Sequence, residues 1–127
     1  MTGRRVLVVE DNPRNLKLVR DVLTYAGYDV IGATTGEEGV RLAEQAHPDL
    51  ILMDLQLPGI DGAEALRLIR DSEGAAHVPV IAVTAFAMND DRTRAFECGF
   101  DGYVEKPLDV RALRQQVEDF LTLGGAR

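Results

Sequence analysis

Short, almost uninterrupted apolar runs alternate with longer amphipathic stretches along the chain, and this alternation constrains the fold more than any other feature. The runs are Val6–Val9, Val30–Ile31, Leu50–Met53, Val80–Val83 and Tyr103–Val104. A strand that is apolar at consecutive positions is covered on both faces, as in a parallel sheet between two helical layers. The pattern predicts five β-α units, and hence an α/β fold with an open, doubly wound sheet of five strands and five helices.

Capping signals mark where the helices between these strands begin and end. Asn12 followed by Pro13 predicts the start of the first helix, and Gly27 predicts its end. The fourth helix is expected from about 89 to 99, and the fifth from Asp109. Two pairs have the capping-box spacing expected at the starts of the second and third helices: Thr35 with Glu38, and Asp61 with Glu64.

Length, charge and cysteine content narrow the class of protein. The 127 residues suit one domain, with a frayed tail over about 124–127. A formal net charge of −7 argues against direct nucleic-acid binding, so we expect protein or small-molecule partners. The single cysteine, Cys98, suits a reducing compartment, and no apolar run reaches the roughly 20 residues of a membrane helix. We therefore expect a cytoplasmic chain without membrane insertion.

The predicted strands carry polar side chains to their carboxyl ends, the edge where open α/β sheets bind ligands. Glu10 and Asp11 follow the first strand, Asp54 the third, Thr84 the fourth and Lys106 the fifth. Clustered carboxylates repel one another unless a cation is present, and Mg²⁺ suits one or two carboxylates together with water and phosphate oxygens. The edge therefore predicts a Mg²⁺ site at which Asp54 is a nucleophile that forms an aspartyl phosphate, with the lysine and threonine on its phosphoryl oxygens.

Each of these residues also has an ordinary structural interpretation when it is taken alone. An aspartate at a strand end commonly belongs to a turn, and Glu10 and Asp11 could simply start the following helix. The functional interpretation rests on the complete set of acids, hydroxyl and lysine at a single edge.

Five stretches, in this order and spacing, resemble the receiver-domain family of two-component signalling over nearly the whole chain. They are Val6–Asn12, Pro48–Asp54, Leu57–Gly62, Pro79–Ala85 and Gly102–Pro107. The resemblance implies a flavodoxin-like strand order of 2-1-3-4-5. The stretch from Ala85 to Met88 is most similar to single-domain receivers of bacterial cell-cycle and developmental pathways, and it also occurs in receivers attached to hybrid kinases.

The resemblance also implies a role for each site residue. Asp54 matches the phosphoacceptor, and Asp11 matches the acid that binds the metal directly. Glu10 stands where the family's second acid acts through water, and Gln56 where a backbone carbonyl binds the metal. The remaining matches are Thr84 and Lys106 as phosphoryl contacts, Tyr103 as the aromatic switch that follows Thr84, and Pro107 after a cis peptide bond. Gln56 and Phe86 depart from the best-studied pattern, which leaves the dephosphorylation rate open.

The implied function is that of a phosphoacceptor response regulator. A sensor histidine kinase or a phosphotransfer protein would donate the phosphoryl group, with Mg²⁺, or Mn²⁺ in its place, as the cofactor. The signal would leave as a protein contact on the face of the fourth helix, fifth strand and fifth helix, with no output domain. The chain would not be an enzyme beyond assisting its own phosphorylation and dephosphorylation.

Three other interpretations are weighed against this one. The chain could be a receiver module excised from a hybrid kinase or a larger regulator. It could be a Mg²⁺-dependent phosphatase-type enzyme, but such enzymes usually carry an acid two positions after the nucleophile, where this chain has Gln56. It could be a flavodoxin-like FMN carrier, but a phosphate-binding loop rich in Ser, Thr and Gly is missing after the first strand.

Overall fold

The computed structural model describes residues 4–72, 75, 77–84, 99–105 and 110–125. The strands are β1 (Arg5–Val9), β2 (Asp29–Ala33), β3 (Leu50–Asp54), β4 (Val80–Thr84) and β5 (Gly102–Glu105). The helices are α1 (Pro13–Tyr25), α2 (Gly36–Ala46), α3 (Gly62–Arg70) and α4 (Val110–Gly125). The helix predicted over about 89–99 lies outside the described residues except for Gly99, so α4 is the helix that the sequence predicts as the fifth.

The five strands form one parallel sheet in the order β2-β1-β3-β4-β5. This confirms the α/β class and the implied strand order. The chain runs from β1 out to the edge strand β2 and then returns across β1 to β3. The strand order therefore reverses between β1 and β3, and the carboxyl ends of these two strands flank the crevice where such sheets bind ligands.

Alternate residues of the central strands belong to two different cores, which explains their uninterrupted apolar sequence. Val6 and Val8 of β1 pack with residues of α1 and α4, whereas Leu7 and Val9 pack with residues of α2 and α3. Every residue of β3 and of β4 is buried. The edge strand β2 has only Ala33 buried, which matches the shorter apolar run in its sequence.

The predicted start and end of the first helix are confirmed. The Asn12 side chain accepts hydrogen bonds from the backbone N–H groups of Arg14 and Asn15, at 2.9 and 3.3 Å, and Pro13 is the first helical residue. Gly27 follows the helix with φ of 100°, a left-handed conformation that glycine adopts without steric cost.

The two predicted capping boxes form only in part. Thr35 accepts from the N–H of Glu38 at 3.1 Å, but the Glu38 carboxylate accepts from the residue before the cap rather than from Thr35 itself. Asp61 accepts from the N–H of Glu64 at 2.9 Å, whereas the Glu64 carboxylate pairs with Arg67 along the same helix. Each box keeps the bond that caps the helix, while its glutamate takes a different partner.

Helix α4 extends further than the sequence suggests. Gly124 and Gly125 are the last two residues of this helix, Val110–Gly125, whereas the sequence predicts a frayed tail from about 124. Glycine is unfavourable inside a helix, so two consecutive glycines predict a helix that ends before residue 124. The last two residues, 126–127, lie outside the described part of the chain.

Candidate functional site

The register between β1 and β3 sets the frame of the candidate site. Val9 pairs with Met53, so the next residues, Glu10 and Asp54, stand at the same level of the sheet. Leu55 then donates its N–H to the Val83 carbonyl at 3.0 Å, which ties the end of β3 to β4. The ends of three strands are thus held level by backbone hydrogen bonds.

Three carboxylates meet at this edge, as the sequence predicts. Glu10, Asp11 and Asp54 each place a carboxylate oxygen within 4.8 Å of those of the other two. Glu10 and Asp54 are 4% and 5% exposed, whereas Asp11 faces solvent. Two carboxylates are therefore largely withdrawn from water, and the third lies at the opening.

Local backbone groups orient both buried carboxylates. The Asp54 Oδ1 atom accepts from the N–H of Gln56 at 2.9 Å, and the Glu10 Oε2 atom accepts from the N–H of Asn12 at 3.1 Å. Each bond joins a side chain to the backbone two residues later, so each acid orders the loop that follows its own strand. The side chain of Gln56 is exposed.

Beneath the acids the surroundings are apolar. A cavity of about 10 Å³, the volume needed for a single water molecule, lies between the sheet and helices α1 and α4. Its lining consists of Val8, Val9, Glu10, Val19, Leu52, Asp54, Val83 and Leu113. Charged carboxylates beside apolar groups are costly unless a cation or hydrogen-bond donors compensate them.

The donor set of the cluster fits a hard divalent cation. Carboxylate oxygens are the ligands that Mg²⁺ prefers, and only one or two are needed when water and phosphate oxygens complete the shell. Asp11 is exposed, so the cluster is open to solvent on that side. Glu10, Asp11 and Asp54 can therefore hold a metal ion without rearrangement of the sheet.

Thr84 and Tyr103 lie on the opposite face of the sheet from the apolar cavity. Ala82 and Tyr103 are neighbours across β4 and β5, and both pack into the core beneath α2 and α3. Thr84 is two residues after Ala82, so strand alternation places it on that same face. Thr84 is 2% exposed and Tyr103 is half-buried. The predicted switch pair thus shares one face.

Lys106 and Pro107 lie outside the described residues, as does the stretch 85–98 that contains Phe86. The phosphoryl contact of Lys106 and the cis bond before Pro107 stay predictions. The backbone-carbonyl role of Gln56 also stays a prediction, although its N–H is fixed on Asp54.

The structure shows a positional role for glycine that the sequence did not reveal. Gly59 and Gly62 suggest only turn residues, and Gly59 does have φ of 77°. Gly62, however, lies directly against the strand end: a Cβ atom there would stand 2.8 Å from the Asp54 carbonyl oxygen. The Asp61-Gly62 pair at the start of α3 marks a helix start in the sequence. It does not reveal which atoms the glycine contacts in the folded chain.

A family model described as the response regulator receiver domain matches residues 6–118. The chain therefore belongs to the response regulator receiver family, the class of signalling protein that the fold and the acidic edge indicate. The family match and the strand order together confirm the resemblance seen in the sequence.

Among curated proteins, the chain is similar to the polar-differentiation response regulator DivK of Brucella ovis. The two are 43% identical over 118 residues, which cover 93% of this chain and 96% of that protein. DivK of Brucella anthropi is 42% identical over the same length. The similarity to single-domain receivers of bacterial cell-cycle pathways is thereby confirmed, and phosphoacceptor response regulation is the function that this family carries.

Receiver domains are also found among the solved structures that are similar to this chain. The receiver domain of the sensor histidine kinase PA1611 from Pseudomonas aeruginosa PAO1, which has a magnesium ion coordinated in its active-site cleft, is 37% identical, with a TM-score of 0.87. That match covers 95% of this chain and 99% of the other. A CheY-like receiver domain protein from Methanospirillum hungatei JF-1 is 27% identical, with a TM-score of 0.89 and 98% of each chain covered. Among the described residues of this chain, no helix has the length and apolar character needed to cross a membrane.

Proposed function

We propose that Asp54 is the phosphoacceptor of this receiver and that Glu10, Asp11 and Asp54, with the backbone carbonyl of Gln56, hold a Mg²⁺ ion beside it. The observation that carries the proposal is the meeting of three carboxylates, two of them buried, at the reversal point of the strand order. The magnesium-bound receiver of PA1611, which is similar over almost its whole length, supports the choice of metal. Mn²⁺ is expected to substitute because it accepts the same oxygen ligands.

The transfer itself is a displacement at phosphorus. A carboxylate oxygen of Asp54 attacks the phosphoryl group, the bond from phosphorus to the donor's histidine nitrogen breaks, and that nitrogen keeps the bonding electrons and later takes a proton. A bound Mg²⁺ supplies positive charge to the phosphoryl oxygens. Thr84 and Lys106 are assigned to two further oxygens, by hydroxyl donation and by charge. The N–H of Gln56 keeps the carboxylate of Asp54 oriented for attack.

The signal is proposed to pass from Thr84 to Tyr103. A hydrogen bond from the Thr84 hydroxyl to a phosphoryl oxygen is charge-assisted and stronger than a neutral one. When the Thr84 side chain moves towards Asp54, it leaves space on the face of the sheet that it shares with Tyr103. The Tyr103 ring then packs into that space. The output surface is the face formed by the predicted helix at 89–99, β5 and α4, where a downstream protein binds. Catalysis by this chain is limited to its own phosphorylation and dephosphorylation.

Intact-mass measurement tests the phosphoacceptor. With Mg²⁺ and acetyl phosphate, the wild-type protein should gain the mass of one phosphoryl group, and Asp54→Asn should gain none. Asp61→Asn, a change to an exposed cap on the next helix, is the matched control and should still be phosphorylated. A phosphoryl adduct on Asp54→Asn at wild-type yield would reject Asp54 as the acceptor.

A second candidate is a receiver that works as one module of a hybrid kinase. The similar structures from Pseudomonas aeruginosa and Syntrophus aciditrophicus are both receiver domains of histidine kinases, which favours this alternative. The single-domain organisation over 1–127, the donor and the cytoplasmic location all stay predictions. Phosphotransfer from each purified kinase and phosphotransfer protein of the source genome separates the two: a fast donor encoded as a separate protein supports the free-standing regulator, and one encoded in the same chain supports the hybrid kinase.

A further inference from the structure

The loop between β3 and α3, residues 55–61, is held at one end by the start of α3. Gly62, the first residue of that helix, is buried, and a Cβ atom there would stand 2.8 Å from the Asp54 carbonyl oxygen and 2.9 Å from the Leu55 Cα atom. Both neighbours are backbone atoms, which a side chain could not push aside without moving the chain. The start of α3 therefore packs directly on the backbone of Asp54 and Leu55, where the loop begins.

The other end of the same loop is held by the first turn of α2. Gly36, the first residue of α2, is buried, and a Cβ atom there would lie 2.6 Å from the Ile60 Cγ1 atom and 2.9 Å from the Ile60 carbonyl oxygen. The neighbouring Glu37 carboxylate lies over Gly59, where its Oε2 atom would stand 2.8 Å from a Cβ atom. Ile60 itself is half-buried and packs against the core of α2 and α3.

Helix α2 is also fixed on the strand that leads to Glu10. Gly39 lies one turn after Gly36, and a Cβ atom there would stand 2.7 Å from the Val9 Cγ2 atom. Val9 is the last residue of β1, directly before Glu10. One short helix segment thus contacts both the strand that delivers Glu10 and the loop that follows Asp54.

We propose that Gly36 and Ile60 are positioning residues for the metal site: their contact fixes the loop 55–61, and with it the Gln56 carbonyl, relative to Glu10, Asp11 and Asp54. The inference rests on the proposed metal and phosphoacceptor site. It adds two residues outside the three acids that hold the loop of that site in position. The Gln56 N–H is already anchored on Asp54 at the near end of the loop. The contact of Ile60 with Gly36 fixes the far end, so the direction of the Gln56 carbonyl depends on α2.

The test compares two glycine-to-alanine variants, one at the proposed contact and one at the opposite edge of the sheet. Gly36→Ala pushes on the loop, whereas Gly102→Ala, at the start of β5, pushes on the Phe120 ring, away from the acids and the loop. Both should lower the melting temperature. Calorimetric titration of the full chain with Mg²⁺ should show a loss of affinity of about tenfold or more in Gly36→Ala, the size typical of groups that support metal ligands. Gly102→Ala should stay within about twofold of wild type, because the ligands of the metal and the contacts that support them are unchanged.

A metal-free measurement separates this inference from the proposed function. In amide spectra without Mg²⁺, the Gln56 resonance should shift in Gly36→Ala and stay in place in Gly102→Ala. Ile60→Ala removes the same contact without a clash, and it should also weaken Mg²⁺ binding if Gly36→Ala does not fold. Equal Mg²⁺ affinity in Ile60→Ala, Gly102→Ala and wild type would overturn the inference, as would an unmoved Gln56 resonance in a folded Gly36→Ala. A wild-type protein that binds no Mg²⁺ would overturn the proposed site instead.

Discussion

At the scale of single residues, the carboxylates of the candidate site are placed where their charges oppose folding. Glu10 and Asp54 are buried next to each other and next to apolar side chains, and Asp11 adds a third negative charge at the opening. Negative charges at this spacing repel one another unless a cation lies between them. The stability of the folded protein should therefore increase when a metal ion binds between these carboxylates.

Mg²⁺ should stabilise the wild-type fold and should fail to stabilise a protein that carries Asp11→Ala and Asp54→Ala. A ligand that binds only the folded state, at a free concentration a hundredfold above its Kd, adds about 2.7 kcal/mol. Thermal melts with and without Mg²⁺ at constant ionic strength measure the effect. Asp71→Ala, which removes an exposed acid at the end of α3, is the matched control and should keep the full shift. An equal shift in the double variant would place the metal elsewhere.

A second effect at this scale concerns Tyr28, which is buried beside α4. Burial raises the pKa of its hydroxyl above the ordinary value of 10.0; Glu118 adds to the rise, and Arg4 and Arg114 oppose it. Because the folded protein holds the phenol proton more tightly than the unfolded chain, this contribution to stability is complete below about pH 10 and is lost as the pH rises through the folded-state pKa. The loss belongs to the alkaline range only.

Tyr28→Phe should therefore flatten the alkaline decline in stability. Denaturant unfolding of both proteins between neutral pH and pH values above 10 gives the comparison, because the other titrating groups are common to both. Tyr25→Phe removes the hydroxyl of a side chain that is 90% exposed, and it should leave the decline unchanged. A decline as steep in Tyr28→Phe as in wild type would contradict the expected role of Tyr28.

At the scale of elements, a half-buried ion pair joins α3 to the adjoining ends of β4 and β5. Arg70 at the end of α3 donates to the Asp101 carboxylate and to the Val78 carbonyl, both at 2.6 Å. The same carboxylate oxygen accepts from the Val80 N–H at 2.9 Å. One side chain thus satisfies a helix arginine and the first N–H of β4, so this contact should stabilise the amino-terminal edge of the sheet.

Asp101→Ala should destabilise the fold by about 1–3 kcal/mol, the usual cost of leaving buried hydrogen-bonding groups without a partner. Asp101→Asn keeps an acceptor for the Val80 N–H and should lose less. Chemical denaturation gives the free energies of unfolding. Asp21→Ala, which removes an exposed ion pair with Lys17, should change stability by less than about 0.5 kcal/mol. If Asp101→Ala lowered the free energy of unfolding by no more than Asp21→Ala, the contact of Asp101 would not stabilise the fold.

At the scale of the whole molecule, the proposed metal ligands and the proposed switch residues lie on different faces of the sheet. The acids lie above the core of α1 and α4, while Thr84 and Tyr103 belong to the face covered by α2 and α3. Under the proposed function, a signal from Asp54 to the output surface would pass between the two faces through Thr84, at the end of β4. Because burial of an aromatic ring contributes at most about 3 kcal/mol, Tyr103 can shift the balance between two states without remaking the fold.

Beryllofluoride, which stands in for the phosphoryl group on Asp54, should change amide chemical shifts beyond the pocket. We expect changes at Thr84, at Tyr103 and into the first turns of α4, with none in the last turn of α2. Tyr103→Ala should still be phosphorylated at the wild-type rate while losing the changes in α4. Shifts confined to the residues around Asp54 would contradict this route.

Much of the fold and of the candidate site could be predicted from local sequence. Continuous apolar strands such as Leu50–Met53 specify burial on both sides, and Asn12-Pro13 specifies a helix start because the capping bond joins residues two or three positions apart. The candidate acids were found for the same reason, since each directly follows or ends a strand that its own sequence defines. Interactions within a few residues are encoded by those residues alone.

Only the tertiary structure decided what depends on distant partners. The register of Val9 with Met53 brings Glu10 level with Asp54, and it results from the packing of whole strands between two helical layers. The contact of Gly36 with Ile60 joins residues that no local pattern relates. The sequence by itself determined the elements and the chemistry at their ends, because those follow from short-range periodicity and capping. The distances between the ends were decided by long-range packing, in which the contribution of each residue depends on all the others.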